Sequence, residues 1–239
     1  MPNDTRLHSS SKSFKIDGYC LIRQDKSAAD TQRCRYSAGG IAFLVPNNWV
    51  VHELPPLIPL NEKLEAKAVI LIPPGCSLIK LLSVYNHPGS HVPTTLFTKF
   101  KEIRYNNLLV KGFICGDLNS PHKGFGSRFD NEYGVTLLRS INDENMLVLN
   151  SDEATYYQSS TGQENILDLV ICELESASLM NSCYVEEDIG TDHMPVCLSI
   201  TPEVIDLSRW ESTSIKKEFS RTDIQLFNEI INNEILKIS

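Results

Sequence analysis

Short apolar runs rich in Val, Ile and Leu, each closed by turn residues, recur along most of the chain. They occupy residues 40–45, 66–72, 78–85, 108–115, 166–172 and 194–200. Runs of this length and composition predict strands buried in a sheet. Between them, residues 93–105 carry Leu96, Phe97, Phe100 and Ile103 at helical spacing, and residues 131–145 do the same with Val135, Leu138 and Ile141. Helices alternating with buried strands predict a layered α/β architecture in which two sheets are flanked by helices. From Thr201 the pattern changes. Residues 202–220 are polar around Trp210, and residues 222–236 read as an amphipathic helix through Ile224, Phe227, Ile230, Ile231 and Ile235, with Thr222 as N-cap. We therefore expect one domain over residues 1–200 and an appended connector over 201–239.

Composition narrows the classes. The chain has 239 residues, 41% hydrophobic and 22% charged, which suits one large α/β domain with a tail. No run approaches the roughly 18 apolar residues that span a bilayer, so no membrane partner is expected. The first dozen positions are polar and lack the basic-then-apolar order of a secretion signal. Seven cysteines occur without paired spacing, and Cys115, Cys172 and Cys197 sit inside apolar runs. They read as small buried hydrophobes in a reducing intracellular compartment, with no zinc site. The formal charge of -8 argues against tight non-specific binding of nucleic acid, which leans on Lys and Arg. It leaves room for a nuclease, because a divalent-metal site collects carboxylates.

Four segments carry candidate chemistry. Gly116-Asp117-Leu118-Asn119-Ser120-Pro121-His122 follows an apolar strand, and alternation puts Asp117 and Asn119 on one face. A carboxylate there can take a proton from water while the amide holds the water; the plainer reading is an Asx-rich turn. Gly190-Thr191-Asp192-His193-Met194-Pro195 opens the last run, with a carboxylate for a metal and an imidazole for phosphate charge, or simply a satisfied turn. Asp168 lies inside the apolar run Ile166-Leu167-Asp168-Leu169-Val170, where burial demands a partner, either backbone or an imidazolium such as His193. Tyr85, in Val84-Tyr85-Asn86-His87-Pro88, ends a strand as packing or as a donor to phosphate.

The order of these segments resembles the endonuclease/exonuclease/phosphatase superfamily, and within it the endonucleases of non-LTR retrotransposons of the jockey and R1 kind. Phe14-x-Ile-x-Gly-Tyr19, Arg23-x-Asp25 and Gly39-Gly40-Ile41-Ala42 add to the likeness, which covers roughly residues 3–200. It implies a four-layer α/β/β/α sandwich, truncated at its N-terminus, that hydrolyses DNA phosphodiester bonds with Mg²⁺, Mn²⁺ being the alternative ion. By the same resemblance Asp117 is the general base, Asn119 its orienting partner, His193 the stabiliser of phosphate charge, Asp168 the residue that orients His193, and Tyr85 a phosphate contact. Asp192 falls to the metal, and Thr155, Tyr156 and His122 to DNA, with residues 156–165 as a hairpin reaching into a groove or a solvated turn. The connector resembles the segment leading to a reverse transcriptase in the same polyprotein, which implies action in the nucleus.

Two departures stand out. The family begins with an Asn-bearing strand and then a strand ending in a metal-binding Glu; here Asp4 falls at the Glu position and the earlier strand is absent, so the resemblance implies weakened catalysis. Phe125 stands where relatives often carry Trp. Two further readings follow: a repair-type nuclease or phosphoesterase of the same superfamily, and a non-catalytic remnant that keeps the fold.

Overall fold

The computed structural model describes residues 15–24, 40–59, 63–158, 161–187 and 190–204. Asp4, the segment 25–39 and the helix expected over 222–236 lie outside them. The frame is a six-stranded sheet built from β3 (Val50–Glu53), β4 (Leu64–Ile72), β5 (Ile79–Asn86), β8 (Lys111–Asp117), β9 (Met146–Val148) and β12 (Asp168–Glu173), in the order β3-β4-β5-β8-β12-β9. Only β5 and β8 run parallel, and their crossover holds helix α1 (Thr94–Lys101) and the small hairpin of β6 (Arg104–Tyr105) and β7 (Leu108–Leu109).

Alternation along the strands divides the side chains between two faces. On one face Ala66, Ala68 and Ile70 of β4, Leu82 and Val84 of β5 and Ile114 of β8 pack under α1 and helix α2 (Glu132–Asp143). Leu96, Phe97 and Phe100 of α1 are fully buried there, and cutting either Phe to Ala would cost about 3–5 kcal/mol. The opposite face carries a second β-layer of two ribbons. One pairs β1 (Tyr19–Gln24) with β2 (Ile41–Pro46) and packs Ile22, Phe43 and Val45 on Val69 and Leu71. The other pairs β13 (Met180–Val185) with β14 (Val196–Ile200) over Phe113, Val170 and Cys172. A third hairpin, β10 (Tyr156–Gln158) with β11 (Gln163–Asn165), a 3-10 turn over Lys123–Phe125 and a four-residue helix α3 (Leu174–Ala177) complete the described elements. Among the described residues no helix is long and apolar enough to cross a membrane.

Boundaries differ from the expected ones where turns interrupt a run. The run 108–115 is two strands, and β8 begins only at Lys111. The preceding Asn106 and Asn107 adopt φ of 48° and 66°, the consecutive left-handed pair of a tight hairpin turn, so Leu108 and Leu109 pair back on β6. Helix α1 stops at Lys101 rather than continuing through Ile103 to residue 105.

At the end of the sheet away from the loops after β5 and β8, Lys80 is fully buried. Its ammonium donates to the Phe100 carbonyl at 2.9 Å and to Glu173 at 3.0 Å. Burial lowers the Lys80 pKa, and the Glu173 charge opposes that shift.

Candidate active site

Strand register brings four side chains into one row. Glu65 of β4 lies opposite Tyr85 of β5, Tyr85 opposite Asp117 of β8, and Asp117 opposite Asp168 of β12. All four share the face covered by the ribbons, and with strands about 4.8 Å apart the row spans roughly 14 Å.

Asp117 is the last residue of β8 and is 5% exposed. The expectation that Asn119 shares its strand face is corrected, because the strand has already ended. Asn119 sits in a turn at φ 46°, a left-handed conformation that Asn tolerates. That turn brings it back to the carboxylate: its N–H donates to Asp117 Oδ1 at 3.0 Å and its side-chain amide to Oδ2 at 2.7 Å. The same amide donates to the Asn86 carbonyl at 2.9 Å, tying the loops after β5 and β8 together. The loop is also pressed onto α2. Asn131 caps that helix by accepting from Gly134 N–H, and a Cβ at Gly134 would stand 2.1 Å from the Pro121 carbonyl oxygen.

His193 is delivered from the other side. Residues 155–157 run antiparallel to 192–194, with Met194 N–H donating to the Thr155 carbonyl and Tyr157 N–H to the Asp192 carbonyl, both at 2.8 Å. The Tyr156 ring leans on the His193 ring at 4.9 Å between centroids. His193 Nδ1 lies 2.7 Å from Asp168 Oδ2, and its Nε2 lies 4.0 Å from Asp117 Oδ2. Asp168 is half-buried rather than buried, its side chain 17% exposed. Asn150 braces its strand by donating to the Asp168 carbonyl at 2.9 Å and accepting from Val170 N–H at 2.8 Å.

The charges follow from this packing. Burial pushes the Asp117 carboxyl up and the Asp168 charge adds to it; His193 and the two Asn119 hydrogen bonds pull back, leaving it at about 7. Burial alone would depress the His193 imidazolium, but the Asp168 hydrogen bond and charge, helped by Asp117 and Asp192, outweigh it and raise it to about 9. A carboxyl poised at neutral pH thus faces a cationic imidazole, an arrangement suited to taking a proton from water beside an anionic centre.

Three expected DNA contacts take different positions. Thr155 is fully buried, and its hydroxyl accepts from the N–H groups of Leu167 and Asp168, both at 3.0 Å. Its side chain is a brace for the Asp168 strand, not a surface contact. His122 caps a single 3-10 turn, Nδ1 accepting from Gly124 N–H at 2.8 Å and Nε2 lying 3.7 Å from Asp130. Tyr156 borders the site through His193. Tyr85 flanks Asp117, and its ring meets that of His87 at 4.8 Å. Asp192 is exposed beside His193. Asn150 and Glu65 escape sequence reasoning, since neither stands in an apolar run or a motif.

Among the described residues no group of three His, Cys, Asp or Glu is close enough to hold a metal unaided. The oxygen donors of Asp117, Asn119 and Asp192 nonetheless match a hard cation such as Mg²⁺, which takes one or two carboxylates and completes its shell with water and phosphate. The Asp117 carboxyl is raised first by burial and then by the Asp168 charge, and a cation beside it would favour its ionised form. A groove of about 220 Å³ runs between the ribbons to Asp168 and His193, lined by Phe43, Leu81, Val170 and Leu198 among others. Its apolar walls do not suit a phosphate, which the polar end of the row does.

Comparison with known proteins gives the same frame. A family model described as "Endonuclease-reverse transcriptase" matches residues 79–197, the span that holds Tyr85, Asp117, Asp168 and His193. The endonuclease domain of TRAS1, a telomere-specific non-LTR retrotransposon, superposes with a TM-score of 0.61 at 19% identity, covering 79% of this chain and 81% of its own. A 3′ phosphatase from Neisseria bound to product DNA hairpin gives 0.55 at 12%, covering 83% and 86%. The AP endonuclease LMAP from Leishmania major gives 0.55 at 11%, covering 79% and 72%. No curated protein matches the chain.

Proposed function

Because this chain belongs to the endonuclease/exonuclease/phosphatase superfamily and is similar to retrotransposon endonucleases, we propose that it hydrolyses DNA phosphodiester bonds as a Mg²⁺-dependent endonuclease that nicks a target site. The observation that carries this reading is the apposition of Asp117 to the Asp168–His193 pair. Asp117, with a pKa of about 7, takes the proton of the attacking water, and the Asn119 amide bonded to it fixes where that water sits. The water oxygen forms a bond to phosphorus as the bond to the leaving sugar oxygen breaks. His193, cationic below about 9, stabilises the charge that builds on the phosphate. Asp168 holds Nδ1, which leaves Nε2 directed toward Asp117. Tyr85 donates its phenol to a phosphate oxygen.

Asp117, Asn119 and the exposed Asp192 would hold the metal, which supplies Lewis-acid stabilisation of the phosphate when bound. The polyprotein reading extends the proposal: the nick primes a reverse transcriptase encoded downstream, and the enzyme acts on chromosomal DNA in the nucleus. The test is relaxation of supercoiled plasmid in Mg²⁺, in Mn²⁺ and in EDTA, with Asp117→Asn alongside. Nicking that needs the metal and disappears in the variant supports the reading. Equal nicking by the variant removes Asp117 from the reaction, and no nicking with either ion favours a remnant that keeps the fold.

A further inference from the structure

One carboxylate in the row has no part in the chemistry above. Glu65 is 6% exposed, and a carboxylate that deep is tolerated only with partners. Its Oε2 accepts from the Gly40 N–H at 2.5 Å, immediately before β2, and its Oε1 lies 3.3 Å from His87 Nε2. The backbone at His87 is tied to the same strand end, its N–H donating to the Lys63 carbonyl at 2.8 Å. The His87 ring in turn stands edge-on to Tyr85, with centroids 4.8 Å apart and planes at 70°. Tyr85 is the strand neighbour of both Glu65 and Asp117. Carboxylate–imidazole contacts therefore flank the Tyr85–Asp117 pair on both sides, Glu65–His87 on one and Asp168–His193 on the other.

We propose that Glu65 is a positioning residue of the hydrolytic site, which through His87 fixes the Tyr85 ring beside Asp117. A side chain serving only to anchor β2 would need the Gly40 contact alone. The contact with His87 links it to the ring that borders Asp117, and rotation of that ring would shift the phenol relative to the phosphate. The proposal rests on the phosphodiesterase reading of this site, and its test separates the two.

The variant is Glu65→Gln in the full chain, which keeps the volume and one acceptor for Gly40. Two readouts are taken: the ring resonance of Tyr85 in chain labelled with ¹³C-tyrosine, identified by its loss in Tyr85→Phe, and kcat and KM for plasmid nicking in the parent, both single variants and the double variant. We expect the Tyr85 resonance to shift or broaden while that of the distant Tyr184 stays. We expect kcat to fall roughly 10- to 100-fold, as for other residues that orient a reacting group, with KM nearly unchanged, and the double variant to be no slower than Tyr85→Phe. An unmoved Tyr85 resonance, or losses that multiply in the double variant, overturns the proposal. A parent that nicks nothing overturns the phosphodiesterase reading instead, and the Tyr85 resonance still decides whether Glu65 positions that ring.

Discussion

Replacing Asp117 by Asn should destroy activity and yet stabilise the fold at alkaline pH. The carboxyl is raised from 3.8 to about 7 by burial and by Asp168. A carboxyl whose folded pKa exceeds its unfolded value loses stability as pH rises, because the unfolded chain releases its proton first. The penalty is absent below 3.8, grows through the interval and is complete above about 7. At about 1.4 kcal/mol per unit it amounts to roughly 4 kcal/mol at pH 8. Asparagine cannot ionise and escapes it. The substitution also weakens one of the two Asn119 hydrogen bonds, at about 1 kcal/mol, and removes part of the charge that holds His193 cationic. The net expectation is a variant about 2–3 kcal/mol more stable than the parent near pH 8 and indistinguishable from it near pH 4.5. Urea unfolding in EDTA at several pH values measures this directly. A variant destabilised equally across the range would show that Asp117 is a structural carboxylate with an ordinary pKa, and the proposed base would lose its physical support.

Other outcomes follow from single contacts. Adding Mg²⁺ should raise the melting temperature of the parent but not of Asp117→Asn, since binding to the folded state alone stabilises it; equal shifts would place the metal elsewhere. Thr155→Val strands the N–H groups of Leu167 and Asp168 and should cost about 1–3 kcal/mol in urea unfolding, with DNA affinity unchanged; lost affinity at full stability would make Thr155 a DNA contact after all. Glu173→Gln leaves the buried Lys80 ammonium without its counter-charge and should destabilise by about 3–5 kcal/mol, whereas Lys80→Met paired with Glu173→Leu should restore most of that. A double variant as unstable as the single one would mean that the pair itself holds the sheet end.

The parts of the fold legible in the sequence are those buried on both faces. Strands β4 and β12 sit between the helix layer and the ribbons, so nearly every position is buried and the central apolar runs announce themselves. Strand β13 escaped because it lies in the outer layer, where the exposed Asn181, Ser182 and Tyr184 and a register irregularity after Met180 leave no apolar run. The hairpin at Asn106 and Asn107 escaped because two apolar residues after it extended the next run. At the site, the need of Asp168 for a partner was legible in its apolar run, but the choice between backbone and His193 was left open, and the fold decides it for His193 by setting Asp168 at the start of β12. The buried Thr155 was not legible: only the fold shows that its hydroxyl faces two backbone N–H groups instead of solvent. Glu65 in Leu-Glu-Ala-Lys-Ala reads as the polar phase of an alternating strand, and only the register that sets it beside Tyr85 gives it a role.

The most direct test of the account is the pH–rate profile of plasmid nicking, parent against Asp168→Asn, at fixed Mg²⁺ and salt. The account predicts a bell: the rate rises as Asp117 loses its proton, through about 7, and falls as His193 loses its own, through about 9. Higher Mg²⁺ should move the acid limb lower, because a bound cation favours the carboxylate. In Asp168→Asn both limbs should move to lower pH, since the Asp168 charge raises both groups. A rate that is flat from pH 6 to about 10, or limbs that stay in place when Asp168 loses its charge, would contradict the assignment of Asp117 and His193 as the base and the cation of this site.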